Sequence, residues 1–204
     1  FHDLGADVSV NGSSINACAT SIIGTKIILP FPSVGTTENI IIASAISKGK
    51  TIIVNPAREP EISDLADFLN HCGAKIYGAG ESTIVIDGVK RLKPCEHTII
   101  PDRILASTYM SLGAVCSKEL TVNNIRQSHL SPVFPVFTEM GCKIYLSDNS
   151  LTLVSPKKLK RVRSIKTMPY PGFPTDSQSP VAVALALAKG TSILQETIFE
   201  NRFR

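Results

Sequence analysis

The sequence contains no tryptophan, and only 6% of its residues are aromatic. No apolar run approaches the roughly 20 residues that a membrane-spanning helix needs, which argues against an integral membrane protein. No secretory signal opens the chain, which begins at Phe1 without a methionine, and both ends look cut from a longer polypeptide. Charged residues are few at 19%, whereas hydrophobic residues reach 43%, a balance typical of folded globular proteins.

Cysteine and histidine are scattered along the chain. The five cysteines are odd in number and include no closely spaced pair, which argues against a disulfide framework and against a CxxC metal site. None of the four histidines has a metal-ligating neighbour in the sequence. We therefore expect no metal ion, and we expect buried free thiols in a cytoplasmic protein.

The net charge of +4 is only mildly positive. Such a charge suits small anions such as phosphates, but it is too weak to indicate nucleic acid binding. The densest basic run, KKLKRVR at 157–163, could form a nucleic-acid patch, although such runs more often form a solvated linker or strand edge. The composition therefore favours small anionic ligands and predicts neither a nucleic acid nor a membrane as partner.

Three short segments of the chain read alike: LGADV at 4–8, CGAKI at 72–76 and MGCKI at 140–144. Their glycines, Gly5, Gly73 and Gly141, are spaced 68 residues apart in both intervals. A constant period predicts tandem copies of one supersecondary unit. This period is too long for a solenoid repeat, so each copy should be a small subdomain.

The order of elements within a copy follows from periodicity and turn residues. In the first copy we predict strands at 26–29, 51–54, 74–77 and 83–86, with helices at 38–47 and from Pro60 to the C-cap Gly73. This order is βαβαββ. In the second copy we predict strands at 97–100, 120–123, 143–146 and 150–154, with helices at 105–116 and 132–140. A third, incomplete copy has strands at 164–167 and 191–194 around a helix at 179–188, and residues 1–19 end a preceding copy.

Five sequence strings coincide, in order, with those of one enzyme family. They are SVGTTEN at 33–39, NPAREPEI at 55–62, PDR at 101–103, PGFPTD at 171–176 and ETIFENRF at 196–203. The chain thereby resembles the central part of the UDP-N-acetylglucosamine enolpyruvyl transferases, in the EPSP synthase and enolpyruvate transferase family. The resemblance covers most of the chain.

The resemblance implies an α/β fold, the inside-out α/β barrel of two domains built from βαβαββ units. Residues 1–100 would belong to one domain and residues 101–204 to the other, with the substrate cleft between them. The implied reaction transfers the enolpyruvyl group of phosphoenolpyruvate to the 3′-hydroxyl of UDP-N-acetylglucosamine and releases phosphate. It is the first committed step of peptidoglycan synthesis in the bacterial cytoplasm and requires no cofactor.

Asp176 precedes a predicted helix, where its local chemistry indicates an N-cap. The resemblance implies that Asp176 contacts the sugar 3′-hydroxyl and acts as a general base, and that Thr175 beside it also binds substrate. It places Arg202 near the reacting groups, where a guanidinium can pair with carboxylate or phosphate, and Ile198 against the sugar nucleotide. We expect Arg103 and Arg58 to organise the domain junction and a surface hairpin.

Ser33, Val34 and Gly35 lie between a predicted strand and a predicted helix. A turn at a helix N-terminus offers free backbone N–H groups to an anion, although local chemistry alone favours an ordinary β–α turn. The resemblance implies that this turn holds the nucleotide diphosphate. Some relatives carry a lysine just before the turn, where this chain has Phe31 and Pro32.

Other groups of the family's active site have no counterpart in this sequence. The lysine–asparagine pair that receives phosphoenolpyruvate and the loop that carries the acid lie upstream, and further arginines lie downstream. We therefore expect the chain alone to be inactive. Two alternatives remain open: a non-catalytic module that binds a UDP-sugar, and an enzyme that acts on shikimate 3-phosphate.

Overall fold

The computed structural model of the protein describes residues 1–202, so that Phe203 of the 196–203 string lies outside the described residues. The chain divides into two compact units, Phe1–Ile99 and Ile100–Arg204. Each unit has a hydrophobic core of its own. The assignment of the units to two repeat domains stays a prediction.

The first unit contains a hairpin followed by a mixed sheet with two helices. Its elements are β1 (Asp7–Asn11), β2 (Ser14–Cys18), β3 (Lys26–Ile28), α1 (Val34–Ala45), β4 (Lys50–Val54), α2 (Pro60–His71), β5 (Ile76–Tyr77) and β6 (Thr83–Asp87). The sheet has the order β3-β4-β6-β5, in which β3 and β4 are parallel and the other pairs antiparallel. Alternate residues of β4 and β6 are buried, Ile53 facing Ile84 across the pair, as expected for strands with one face on the core.

The second unit repeats this order with changes. Its elements are α3 (Arg103–Cys116), β7 (Glu119–Asn123), α4 (Gln127–Leu130), α5 (Phe134–Glu139), β8 (Lys143–Ser147), β9 (Ser150–Val154), β10 (Ser164–Lys166), α6 (Gln178–Ala186) and β11 (Ile193–Gln195). Strands β7, β9 and β8 form an antiparallel sheet in that order, which matches β4, β6 and β5. Strands β10 and β11 pair in parallel, as β3 and β4 do.

The three glycines of the sequence repeat occupy equivalent backbone positions. Gly5, Gly73 and Gly141 have φ values of 87°, 96° and 92°, and each follows the last turn of a helix or 3₁₀ turn. Only glycine adopts this left-handed conformation without a steric penalty. The glycine period therefore marks the point at which each copy turns from helix to strand.

Two predicted elements differ most from the structure, the strand at 97–100 and the start of the first helix. Residues 97–100 form no strand, because the segment instead lies along α2, where His97 Nε2 is 3.0 Å from Asp64 Oδ1. Helix α1 begins four residues earlier than predicted, because Ser33 caps it. The helix predicted at 132–140 corresponds to α5 (Phe134–Glu139), and a separate short helix that was not predicted, α4, precedes it at Gln127–Leu130.

The cysteines are free thiols, as predicted, but they are not uniformly buried. Cys72 and Cys142 are buried, whereas Cys18 and Cys116 are exposed. Cys18 ends the hairpin strand β2, all of whose residues are exposed, and Cys116 is the last residue of α3. Exposure at these two positions follows from the place of each residue at the edge of its unit.

Candidate active site

Thr175 and Asp176 lie in a 3₁₀ turn, Thr175–Ser177, that leads into α6. The prediction that Asp176 caps this helix is wrong, because Ser177 occupies the N-cap position and no side chain caps the helix there. The Asp176 side chain is 55% exposed and points instead to Arg202. Its carboxylate is therefore available for chemistry at the surface of the second unit.

Arg202 connects the two residues of this turn. Its Nη1 donates to Thr175 Oγ1 at 2.9 Å, and its Nη2 donates to Asp176 Oδ1 at 3.0 Å. The guanidinium carbon also lies 5.4 Å from the centre of the Phe199 ring. The planar fork of arginine allows both bonds at once, so Arg202 holds Thr175 and Asp176 in one arrangement.

Glu196 lies directly behind this arrangement. Its Oε2 accepts a hydrogen bond from Thr175 Oγ1 at 2.8 Å. Its Oε1 accepts from Thr167 Oγ1 at 2.9 Å and from the amides of Ile198 and Phe199 at 2.7 and 3.1 Å. Partial burial acts to raise the pKa of the Glu196 carboxyl, but these hydrogen bonds outweigh it and hold the pKa below its ordinary value.

Sequence reasoning did not single out Glu196 or Thr167. Thr167 is fully buried directly after β10, and its backbone carbonyl accepts from Thr197 Oγ1 at 2.6 Å. The sequence carried one signal for Glu196. A glutamate directly after a strand can accept hydrogen bonds from the free backbone amides of the following turn, as an acidic residue does at a helix N-terminus. The parallel pairing of β10 and β11, which brings Thr167 to Glu196, is a long-range contact that the local sequence does not reveal.

Ile198 lies beside this cluster and is half-buried. Residues 198–202 line an open depression of about 540 Å³. Because the Ile198 amide already donates to Glu196, a contact between this residue and a ligand falls to its side chain or its carbonyl. The structure thus brings Thr175, Asp176, Ile198 and Arg202 together at one surface of the second unit.

The turn at Ser33 belongs to the first unit. Ser33 Oγ accepts from the Thr36 amide at 3.3 Å and caps α1. The next two amides, those of Val34 and Gly35, have no acceptor within the helix because they belong to its first turn. Open space surrounds the position that a side chain on Gly35 would occupy, so an anion has room to approach these amides.

The two arginines assigned organising roles have separate contacts. Arg103 is buried at the start of α3, with its guanidinium carbon 5.7 Å from the centre of the Tyr170 ring. Arg58 Nε donates to the Gly80 carbonyl at 3.0 Å, which holds it to the turn before β6. Neither contact involves Asp176 or Arg202.

Residues 1–202 contain neither a cluster of metal-ligating side chains nor a membrane-spanning helix. Within these residues, no three His, Cys, Asp or Glu side chains gather in a way that would hold a metal ion. No helix among them is long and apolar enough to cross a bilayer.

Comparison with known proteins places these residues in a wider group. A family model described as EPSP synthase (3-phosphoshikimate 1-carboxyvinyltransferase) matches residues 1–204. UDP-N-acetylglucosamine 1-carboxyvinyltransferase 1 of Caldanaerobacter subterraneus is 48% identical over 203 residues, covering 100% of this chain and 49% of that protein. The corresponding protein of Finegoldia magna is 46% identical over 206 residues, covering 100% and 48%. The chain thus spans about half the length of the curated relatives it matches.

Solved structures show the same fold at lower identity. The enolpyruvyl transferase NikO from Streptomyces tendae is 24% identical, with a TM-score of 0.89 over 99% of this chain and 51% of NikO. An EPSP synthase from Acinetobacter baumannii is 18% identical, with a TM-score of 0.63 over 94% of this chain and 45% of that chain. The chain therefore shares its fold with about half of each of these enzymes.

Proposed function

This chain belongs to the EPSP synthase family, and we propose that the polypeptide that carries it is a transferase acting on UDP-N-acetylglucosamine. The reaction moves the enolpyruvyl group of phosphoenolpyruvate to the sugar 3′-hydroxyl and releases phosphate. The observation that carries the proposal is the pairing of Asp176 with Arg202. The curated relatives that match this chain are named for this reaction. The assignment of individual residue roles belongs to the same proposal.

The chemistry requires a base at the sugar hydroxyl. Asp176 accepts the 3′-hydroxyl proton while the oxygen attacks C2 of phosphoenolpyruvate and C3 of phosphoenolpyruvate gains a proton from an acid. The resulting tetrahedral ketal expels phosphate as C3 loses a proton. The exposed carboxylate of Asp176 suits this role, because an incoming hydroxyl can reach it.

Arg202 supplies positive charge next to the base. Its guanidinium can turn from Asp176 to the carboxylate or phosphate of phosphoenolpyruvate, where it neutralises charge in the transition state. Its bond to Thr175 anchors one edge of the fork during that exchange. Thr175 and Ile198 complete the substrate-facing surface of the second unit.

The turn at Ser33, Val34 and Gly35 binds the diphosphate of the nucleotide. The free amides at the start of α1 and the positive end of the helix dipole favour an anion there. The net charge of +4 is in keeping with two anionic substrates. The setting of the reaction is peptidoglycan synthesis in the cytoplasm, where both proposed substrates are made.

Asp176→Ala tests the proposal in the complete polypeptide. We expect turnover, measured as phosphate release from phosphoenolpyruvate and UDP-N-acetylglucosamine, to fall about a hundredfold or more. Asp67→Ala is the matched control, because Asp67 is exposed on α2 in the other unit. Equal turnover in the two variants would remove Asp176 from the mechanism.

The acceptor is tested by substitution of the substrate. Because the matching family model is described by the shikimate reaction, shikimate 3-phosphate is the competing acceptor. We expect phosphate release with UDP-N-acetylglucosamine and background release with shikimate 3-phosphate. The reverse result would change the substrate, and binding of the UDP-sugar without any phosphate release would favour a non-catalytic module.

A further inference from the structure

The Glu196 carboxylate accepts four hydrogen bonds, and not all of them serve to hold the chain after β11. Two hydroxyls, from Thr167 and Thr175, and two backbone amides, from Ile198 and Phe199, donate to its carboxylate at 2.7 to 3.1 Å. Three of these bonds go to Oε1 and hold the chain after β11 in place. The fourth bond is the one that the Thr175 hydroxyl donates to Oε2.

The bond to Thr175 determines the direction of hydrogen bonding in the site. A threonine hydroxyl has one proton to donate. Because a carboxylate can only accept, that proton lies between Thr175 and Glu196, at 2.8 Å. The oxygen of Thr175 therefore faces Arg202 with its lone pairs, and it accepts from Nη1 at 2.9 Å.

We infer that Glu196 is a positioning residue that orients the Arg202 guanidinium through the Thr175 hydroxyl, an inference that rests on the proposed transferase function. Glu196 acts through Thr175, whose hydroxyl donates to Glu196 and accepts from Arg202, and Arg202 in turn donates to Asp176. A fixed Nη1 fixes the plane of the guanidinium, and with it the Nη2 that reaches Asp176. The carboxylate thereby sets the geometry of the base and the cation together.

The charge of Glu196 matters as well as its shape. Partial burial raises the pKa of the Glu196 carboxyl, but its four hydrogen bonds favour the ionised form and lower the pKa overall, so the carboxylate is an acceptor for both hydroxyls. A glutamine at this position would offer its carbonyl to three donors and its NH₂ group to Thr175. The hydroxyl of Thr175 would then lose its acceptor, and its oxygen would be shared between two donors.

Kinetics of the complete polypeptide test the inference through Glu196→Gln, with Glu139→Gln as the matched control. Glu139 is exposed in the same unit and also accepts from a backbone amide, that of Arg163 at 3.0 Å. We expect Glu196→Gln to lower kcat about tenfold, since a hydrogen bond to a charged group is lost, with a smaller change in KM for the nucleotide. Equal kcat values for the two variants would overturn the inference.

Thr175 supplies a second comparison. Thr175→Ser keeps the hydroxyl and should keep most of the activity, whereas Thr175→Val should resemble Glu196→Gln. If Glu196 acts through Thr175, the double variant Glu196→Gln/Thr175→Val should be no worse than Thr175→Val alone. Additive losses would mean that Glu196 supports the site by general folding instead.

A readout without activity separates this inference from the proposed function. In the NMR spectrum of the complete polypeptide, restricted rotation of the Arg202 guanidinium should give distinct Nη1 and Nη2 signals. We expect these signals to merge in Glu196→Gln and to stay distinct in Glu139→Gln. If wild type releases no phosphate with either acceptor, the proposed function fails, and the NMR comparison still decides whether Glu196 orients Arg202.

Discussion

The ion pair between Asp176 and Arg202 combines close contact with exposure. The Nη2 and Oδ1 atoms are 3.0 Å apart, while the aspartate side chain is 55% exposed and the arginine side chain 27%. An exposed pair of this kind contributes about 0–1 kcal/mol to stability. Substrate anions can therefore replace Asp176 as the partner of Arg202 at small cost to the fold.

Arg202→Lys should separate two properties of this residue, its positive charge and its planar pair of hydrogen-bond donors. A lysine keeps the positive charge but cannot donate to Thr175 and Asp176 from two fixed nitrogens. We expect phosphate release to fall about a hundredfold, while the free energy of unfolding changes by less than about 1 kcal/mol. Arg91→Lys, at an exposed position of the first unit, is the control. A fully active Arg202→Lys enzyme would show that charge alone suffices.

The cysteines should differ in reactivity according to their burial. Burial raises the pKa of the Cys142 thiol to about 11, so the reactive thiolate is scarcer there at pH 8 than at an unperturbed cysteine. We expect iodoacetamide to label the exposed Cys18 and Cys116 first and to leave Cys142 unlabelled, as measured by peptide mass spectrometry. In denaturant all should label alike. Labelling of native Cys142 as fast as Cys116 would contradict this.

Among the elements, the segment at 91–100 is held in place by individual backbone and side-chain contacts instead of by pairing in a sheet. It has no strand pairing, but its backbone is held where the Lys93 amide donates to the Cys72 carbonyl at 2.8 Å. His97 adds a contact with Asp64 at 3.0 Å and a ring contact with Phe68 at 5.6 Å between centroids. These contacts lie on one face of α2 and keep the segment against that helix.

His97→Ala should release this segment while leaving the sheet of the first unit intact. Loss of a partly buried hydrogen-bonded pair should raise hydrogen exchange at the Lys93 amide about tenfold. Exchange in β4 and β6 should not change, because the backbone pairing of these two strands does not involve His97. His2→Ala, an exposed histidine in the first turn, serves as the control. Unchanged exchange at Lys93 would mean that other contacts hold the segment.

The molecule as a whole leaves apolar helix faces exposed. On α3, Leu105, Tyr109 and Leu112 are 53%, 46% and 50% exposed, and their spacing places them on one side of the helix. On α6, Val183 is 60% exposed. Large apolar patches are uncommon on soluble monomers, so these faces favour association of the chain with other protein surface.

The isolated 204-residue chain should therefore self-associate. We expect light scattering to report oligomers that grow with concentration, because contact between α3 faces removes apolar area from water. Leu112→Glu should shift the population towards monomer. Ile99→Glu changes an even more exposed apolar residue outside the helices and should have less effect. A wild-type chain that stays monomeric would contradict this expectation.

The repeat and most elements could be predicted from sequence because their causes are local. A β-branched run indicated β4, Pro60 marked the start of α2, and the glycine period located the turn of each copy. The enzyme family could also be predicted, because five strings in one order identify it. The roles of Ser33, Val34, Gly35, Thr175, Asp176, Ile198 and Arg202 remain predictions, and the proposed variants test those of Thr175, Asp176 and Arg202.

What the sequence by itself determined is the family, the order of elements and the residues that carry charge near the site. Only the tertiary structure decided that Asp176 pairs with Arg202 instead of capping α6, that residues 97–100 lie on a helix instead of in a sheet, and that Glu196 holds Thr175. Propensity and periodicity act over a few residues, whereas each of these three contacts joins groups at least 21 residues apart. Such contacts depend on how strands and helices pack, which no local pattern encodes.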